Sequence, residues 1–420
     1  MHHIHPITRN AAICLAALLL SASVRDAAPG DEAAPRKGES TMQSASDTLP
    51  GPDALPSIRE LPNPFIMNDG TEVSTVAQWR KRREEIIKLI LDYEYGHMPP
   101  KPDNMEIEAV STETILDGAV VQKRVILKMG PGQKIRVNAG AIIPAKGGPK
   151  FPVVLSIDPV WSDKLAPSAA SIVARGYIFA GFDKQDVDPD KADRGDGVHP
   201  HYPGYDWATL SAWAWGFMRT MDWLETLEAV DREHVAVTGH SRGGKTALLA
   251  GALDERFALV APHCSGTGGS GACRIMGKGS ETLGAITSPM RFQYWFQPKF
   301  GEFSGREDRL PFDQHWVKAL VAPRALLAQE ARDDHWANPI GSQQTNIAAK
   351  PVFDFLGAGD RIGYFIRDGG HSVPVEDWET LIEFADRVFF GKPTRQDFSR
   401  LEFPDAPKPY SWKPSAPAVK

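Results

Sequence analysis

One stretch constrains the fold of this chain more than any other: His234 to Gly251 reads as strand, sharp turn and helix, with a serine at the bend. Val235 to Val237 is a short apolar β-type run, Gly239-His240-Ser241-Arg242-Gly243 follows it, and Thr246 to Leu253 has the Ala/Leu character of a helix. A serine on so tight a turn needs small neighbours, because a side chain at Gly239 or Gly243 collides across the bend. Its hydroxyl then stands exposed, and the helix start behind it offers backbone N–H groups to a developing negative charge. The Gly-x-Ser-x-Gly pattern alone is weak in a chain with 37 glycines. Its position between strand and helix makes it a nucleophile elbow.

The rest of the chain alternates around that elbow. Trp79 to Tyr95 is an amphipathic helix that stops before Pro99-Pro100, and three strand-like runs follow, at 106–113, 120–129 and 134–143. Gly130-Pro131-Gly132 turns the chain between the last two, which predicts an antiparallel edge. Further short apolar runs stand at 152–157, 176–182, 235–237, 259–262, 324–329 and 363–367, separated by helical patterns. Such runs fit strands of a parallel sheet buried on both faces. The expected fold is therefore α/β, an α/β-hydrolase fold with a mainly parallel central sheet, an antiparallel N-terminal edge and helices on both faces. The aromatic-rich helix at 207–227 should pack on that sheet as core, and Trp207 near its start is the one aromatic for which a cleft-facing position stays open as an alternative.

Residues 1–23 read as an export signal: a polar start with Arg9, an apolar run from Ala11 to Leu20 too short to span a bilayer, and the small residues Ser21-Ala22-Ser23. Residues 24–60 follow as a disordered linker, 61–395 as the catalytic domain and 396–420 as a C-terminal tail, so a secreted or periplasmic protein is expected. Cys264 and Cys273 alone remain after the signal, too few for a disulfide scaffold, though they stand close enough in sequence to be bridged. With 24% charged residues and a net charge of −6, the chain lacks the positive field of a nucleic-acid binder and offers nothing to an anionic membrane. A monomer is expected. No metal-ligand spacing, phosphate loop or dinucleotide fingerprint is present, and no cofactor is implied.

A serine nucleophile needs a base, and the base needs an orienting acid. In this fold the chain order is serine, acid, histidine, which selects His371 in the glycine-rich loop Asp368 to Ser372, after a late strand. His240 is tied to the elbow and better suited to scaffolding; His263, His315 and His335 are secondary candidates. For the acid, the loop from Glu330 to Pro339 lies between serine and histidine in sequence. Asp334 is preferred, then Asp333, then Glu330, because Asp334 lies nearest the Trp336-x-x-Pro339 turn.

Several motifs occur in order: Tyr95 to Pro99, Leu210 to Gly216, Gly239 to Lys245, Asp254 to Ala258, Ser265 to Gly269, Leu310 to His315, Ala322 to Arg324 and Gly369 to His371. Together they resemble bacterial glucuronoyl esterases of carbohydrate esterase family 15, over about Leu61 to Gly391. The resemblance implies a secreted serine esterase that cleaves the ester between a 4-O-methyl-glucuronic acid branch of xylan and a lignin alcohol, so that its partner is carbohydrate. It names Ser241 as nucleophile and His371 as base, gives the backbone N–H and guanidinium of Arg242 to the oxyanion, assigns Lys245 to sugar hydroxyls, and sets Trp336 against the sugar ring. One departure stands out. Many members carry a glutamate immediately before Ser265, where this chain has Cys264; others lack it and use an acid in the later loop, where Asp333 and Asp334 stand. A glutamate restored at Cys264 is expected to be tolerated if the loop has room. Two other readings stay open: another carbohydrate esterase on the same fold, such as an acetyl-xylan deacetylase, and a carbohydrate-binding pseudoenzyme.

Overall fold

The computed structural model describes residues 49–161 and 166–416. The expected export signal and residues 24–48 of the expected linker lie outside them. Nine strands form one sheet: β1 (Glu106–Ile115), β2 (Val120–Met129), β3 (Ile135–Pro144), β4 (Phe151–Ser156), β5 (Ile178–Phe182), β6 (Val230–His240), β7 (Leu259–His263), β8 (Ala325–Ala331) and β9 (Ile362–Arg367). Their order is β1-β2-β3-β5-β4-β6-β7-β8-β9. The pairings β1–β2, β2–β3 and β3–β5 are antiparallel and all the others are parallel. Each strand overlaps a run that the sequence predicts, β1 to β3 the three strand-like runs and β4 to β9 the apolar ones. β6 alone is markedly longer than its run of 235–237, because its first residues, Asp231-Arg232-Glu233, are charged and partly solvated while Val230 pairs with Phe151.

Side-chain alternation sends both halves of each central strand into apolar surroundings. Val153, Leu155, Val235, Val237 and Val260 enter the larger core with the helices α1 (Val76–Ile90), α3 (Thr209–Leu224), α4 (Arg242–Leu253), α5 (Gln314–Ala319) and α6 (Pro339–Phe355). Val154, Ala236, Leu259 and Leu327 enter a second core with α2 (Pro167–Ala174) and α7 (Val375–Phe390). Burial on both faces is why these strands are continuously apolar in sequence. The sheet order reverses where β4 lies between β5 and β6, and the elbow sits at the carboxyl end of β6 beside that point, where ligands gather in open parallel sheets.

Trp207 is fully buried against Trp215, His199 and Tyr202, so it fills core and faces no cleft. One expectation needs correction: the catalytic body extends beyond 61–395 at both ends. Residues 49–60 are packed: Tyr93 donates to the carbonyl of Pro50, Arg309 to that of Leu55, and Pro52 is buried. Beyond residue 395, Phe398 packs on Phe384, Gln343 receives the N–H groups of Glu402 and Phe403, and Trp412 donates to Leu61. Leu49 and Leu55 at the first end, and scattered Phe, Tyr and Trp at the second, anchor Pro-rich, aperiodic sequence that carries no repeating signal.

α1 opens with a capping box between Thr75 and Gln78 and passes into a π-helical turn, Leu91–Tyr95, that ends at Gly96. Next to it, His97 lies 3.1 Å from Asp206 and 3.3 Å from Asp92. Hydrogen bonds to Asp206 and then Asp92 raise its pKa from 6.5 to about 9, against the opposing effect of burial. A folded-state pKa above the unfolded value means that this stabilisation is complete below about pH 6.5 and lost as pH rises towards 9. In thermal melts, His97→Asn is therefore expected to flatten the decline of Tm between pH 6.5 and 9; an unchanged slope would refute the assignment.

Candidate active site

Ser241 has φ 58° and ψ −125°, a conformation that costs about 1–3 kcal/mol for a residue with a side chain. Leu248 and Leu249 of α4, both fully buried, contribute about 1.5–3 kcal/mol each, so the packed helix outweighs the strain at its start. A Cβ at Gly239 would lie 2.4 Å from the Gly243 carbonyl oxygen, which fixes glycine there. At Gly243 the obstacle is Ile157 at 2.7 Å, beyond the end of β4, so this glycine serves the contact between helix and sheet. The Ser241 N–H donates to the His263 carbonyl at 2.9 Å and ties the elbow to β7.

His371 Nδ1 lies 2.6 Å from Asp334 Oδ2, although the two are 37 residues apart. The His371 ring is partly exposed and stands 4.2 Å, centroid to centroid, from His240, the residue preceding the serine. Asp334 is buried, which pushes its carboxyl pKa up, but hydrogen bonds from His371, Cys264 and the Ala337 N–H, with the charge of His371, hold it below its ordinary value. The other two acids stand elsewhere. Asp333 is exposed and accepts from the Gly369 N–H at 3.2 Å, bracing the histidine loop without contacting the ring. Glu330 is fully buried, its pKa pushed up to about 8 by burial, and faces Ser342 and Lys318. Of the secondary histidines, His315 is buried and bonded to the Pro62 carbonyl, while His263 pairs with Asp377 at 2.9 Å. His335 is exposed on the acid loop. Burial, with the charges of His263 and His371, lowers the pKa of His240 to about 3, so this ring stays neutral beside His371.

Arg242 begins α4, so its backbone N–H lies at the free end of the helix. Its guanidinium pairs with Asp190 and stands 4.8 Å from the Trp295 ring centroid. Asp190 is in turn held by Tyr294 Oη and Trp295 Nε1, each at 2.9 Å. Lys245 departs from expectation. It is buried, and its three protons go to the carbonyls of Ser265 and Thr267 and to Glu281 Oε1 at 2.6 Å, which leaves none for a sugar hydroxyl. Glu281, which no local sequence signal marks, is the group beside the exposed Trp336: its N–H donates to the Trp336 carbonyl at 3.0 Å. Burial raises the Glu281 pKa against the pull of Lys245.

Cys264 and Cys273 are both free and buried, so no bridge links them. The Cys264 sulfur lies 3.9 Å from His263 Nε2 and within 4.8 Å of an Asp334 carboxylate oxygen and a His371 ring nitrogen, and burial, then Glu330 and Asp334, push its pKa far up, so it holds its proton. The room needed for a glutamate is missing: Cys264 is 1% exposed and packed between Ala331 and Ala337, and a longer acid would stand beside two existing carboxylates. Although the sequence shows no ligand spacing, the fold gathers metal-ligand atom types in two groups, His240/His263/Cys264 and Cys264/Asp334/His371, each within 4.8 Å. Both share the protonated thiol, and the second contains the His371–Asp334 hydrogen bond.

Comparison with known proteins points the same way. A family model described as "Glucuronyl esterase, fungi" matches residues 128–357. A carbohydrate esterase of an unknown prokaryotic organism is 32% identical over 392 residues, covering 79% of this chain and 90% of the relative. Among solved structures, a glucuronoyl esterase of carbohydrate esterase family 15 from Caldicellulosiruptor kristjansonii aligns with TM-score 0.73 and 32% identity over 84% of this chain and 97% of its own. A serine-to-alanine variant of the Sporotrichum thermophile glucuronoyl esterase, in complex with methyl 4-O-methyl-β-D-glucopyranuronate, aligns with TM-score 0.65 and 27% identity over 81% of this chain and 90% of its own. With its parallel sheet, its elbow serine and a histidine–carboxylate pair beside it, this chain belongs to the glucuronoyl esterase family of carboxylic ester hydrolases, carbohydrate esterase family 15.

Proposed function

We propose that the protein hydrolyses the ester joining a 4-O-methyl-glucuronic acid branch of glucuronoxylan to a lignin alcohol, through an acyl-enzyme on Ser241. The observation that carries this reading is the 2.6 Å His371–Asp334 hydrogen bond beside an elbow whose next residue is an arginine. With Nδ1 facing the carboxylate, Nε2 of His371 is the nitrogen that takes the Ser241 proton. Oγ attacks the uronate carbonyl, and its oxygen gains charge against the Arg242 N–H and guanidinium. A cationic donor strengthens as that charge develops, which is where a donor lowers a barrier. His371 then gives the proton to the leaving alcohol, and water repeats the cycle on the acyl-enzyme. Asp190 aims the guanidinium, Trp336 borders the pyranose, and Lys245 acts through Glu281, whose carboxylate receives sugar hydroxyls. The relative bound to a methyl glucuronate ester supports this substrate class. Residues 1–23 direct export, and the mature protein acts as a monomer. Among the described residues no helix is long and apolar enough to cross a membrane.

The test compares benzyl glucuronate with an acetylated xylo-oligosaccharide, using parent protein and Ser241→Ala without added metal. Serine-dependent cleavage of the uronate ester, with little of the acetyl ester, is expected. Preference for the acetyl ester would move the protein to another esterase specificity, and binding without cleavage of either would mark a pseudoenzyme.

A further inference from the structure

His371 sits in a loop, residues 368–374, that contains Gly369 and Gly370 and has largely solvent-exposed side chains. Apolar packing cannot hold such a segment, yet a general base must be positioned to within a fraction of an ångström. The loop carbonyls converge instead on Arg367, the last residue of β9, which is 7% exposed. Its Nη1 donates to the Asp368 carbonyl at 2.8 Å, and its Nη2 to those of Gly370 at 3.2 Å and Ser372 at 2.6 Å. Gly370 and Ser372 are the two residues flanking His371. The remaining donor, Nε, lies 2.8 and 3.0 Å from the two carboxylate oxygens of Asp377. Asp377, in the first turn of α7, is 2% exposed and is fixed by His263 Nε2 at 2.9 Å and by the Gln329 amide, which donates to its backbone carbonyl at 2.8 Å.

We infer that Arg367 and Asp377 form a clamp that positions the general base, acting through the loop backbone without touching substrate. The planar fork of a guanidinium reaches three carbonyls and a carboxylate in one fixed arrangement. A lysine ammonium keeps the charge but has three rotating donors and no fork. Asp377 neutralises the buried cation and orients it from the sheet side, so the loop inherits the rigidity of β9 and α7.

This inference rests on the proposed role of His371, and its test separates the two. Arg367→Lys and Asp377→Asn are compared with the parent by steady-state kinetics on benzyl glucuronate and by proton NMR of the far-downfield His371 Nδ1–H. Arg367→Lys is expected to lower kcat by about 100-fold with KM within about twofold, the cost of a base displaced by roughly 1 Å. The downfield resonance should broaden or vanish. Asp377→Asn should lower kcat by about tenfold in the same pattern, and it decides the matter if Arg367→Lys does not accumulate folded. A merely structural role predicts a lower Tm with parent kcat per folded molecule and an intact downfield proton; that result overturns the clamp. A parent that leaves every uronate ester intact defeats the functional reading instead, and the NMR signal, which needs no substrate, still decides the clamp.

Discussion

Ser241→Ala is expected to lower kcat on glucuronate esters by on the order of 10⁶-fold, as loss of the nucleophile does in serine hydrolases of this logic. The substitution keeps the Cβ, so the backbone at φ 58° meets no new strain and Tm should stay near that of the parent. Arg242, Glu281 and Trp336 lie outside the change, so the variant should bind methyl glucuronate with an affinity within a few-fold of the parent KM. Calorimetric titration beside single-turnover kinetics measures both. Residual turnover within tenfold of the parent would assign the chemistry to another group, and loss of binding would show that the serine holds the sugar as well.

Asp334→Asn should cost about 10³- to 10⁴-fold in kcat, or roughly 4–5 kcal/mol of transition-state stabilisation. An asparagine keeps the shape and can still accept the Ala337 N–H, now 3.3 Å from Asp334 Oδ1. Its amide, however, either turns N–H groups towards His371 or offers an uncharged oxygen, and neither supports the imidazolium formed during attack. Asp333→Asn, by contrast, weakens one exposed brace to Gly369 and should cost less than about tenfold. The two variants assayed together give a ranking, and the reverse order would place the orienting charge on Asp333. The pH behaviour has a definite sign. Because the folded-state Asp334 pKa is held below 3.8, its interaction is present above that pH and lost as pH falls through the lowered value. Asp334 thus stays ionised under mildly acidic conditions.

Particular residues show how far the sequence could be read. The six central strands β4 to β9 are legible because burial on both faces leaves apolar runs, as Val153 to Leu155 and Leu259 to Ala261 do, and β1 to β3 are legible from alternation and β-branched residues. Ser241 was legible from its glycines and His371 from chain order. Asp334 was preferred over Asp333 on a turn argument alone; what separates them is that one side chain points inward to His371 and Cys264 while its neighbour faces solvent. The packed ends at 49–60 and 396–416 are not legible, because isolated leucines in the first and isolated aromatics in the second give no period to detect.

The sequence by itself determined the order of strands and helices, the bend at Ser241 and the place of the histidine loop, since these depend on local steric limits and on the period with which apolar residues recur. Only the tertiary structure decided which carboxylate meets His371, that Lys245 spends its protons on Ser265, Thr267 and Glu281, that Asp190 holds Arg242, and that Arg367 grips the loop of the base. Hydrogen bonds and ion pairs act over about 3 Å, and in these site pairs they join groups that the chain separates by up to 52 residues. Along the sequence such charges look the same as solvated ones until the fold brings their partners within reach.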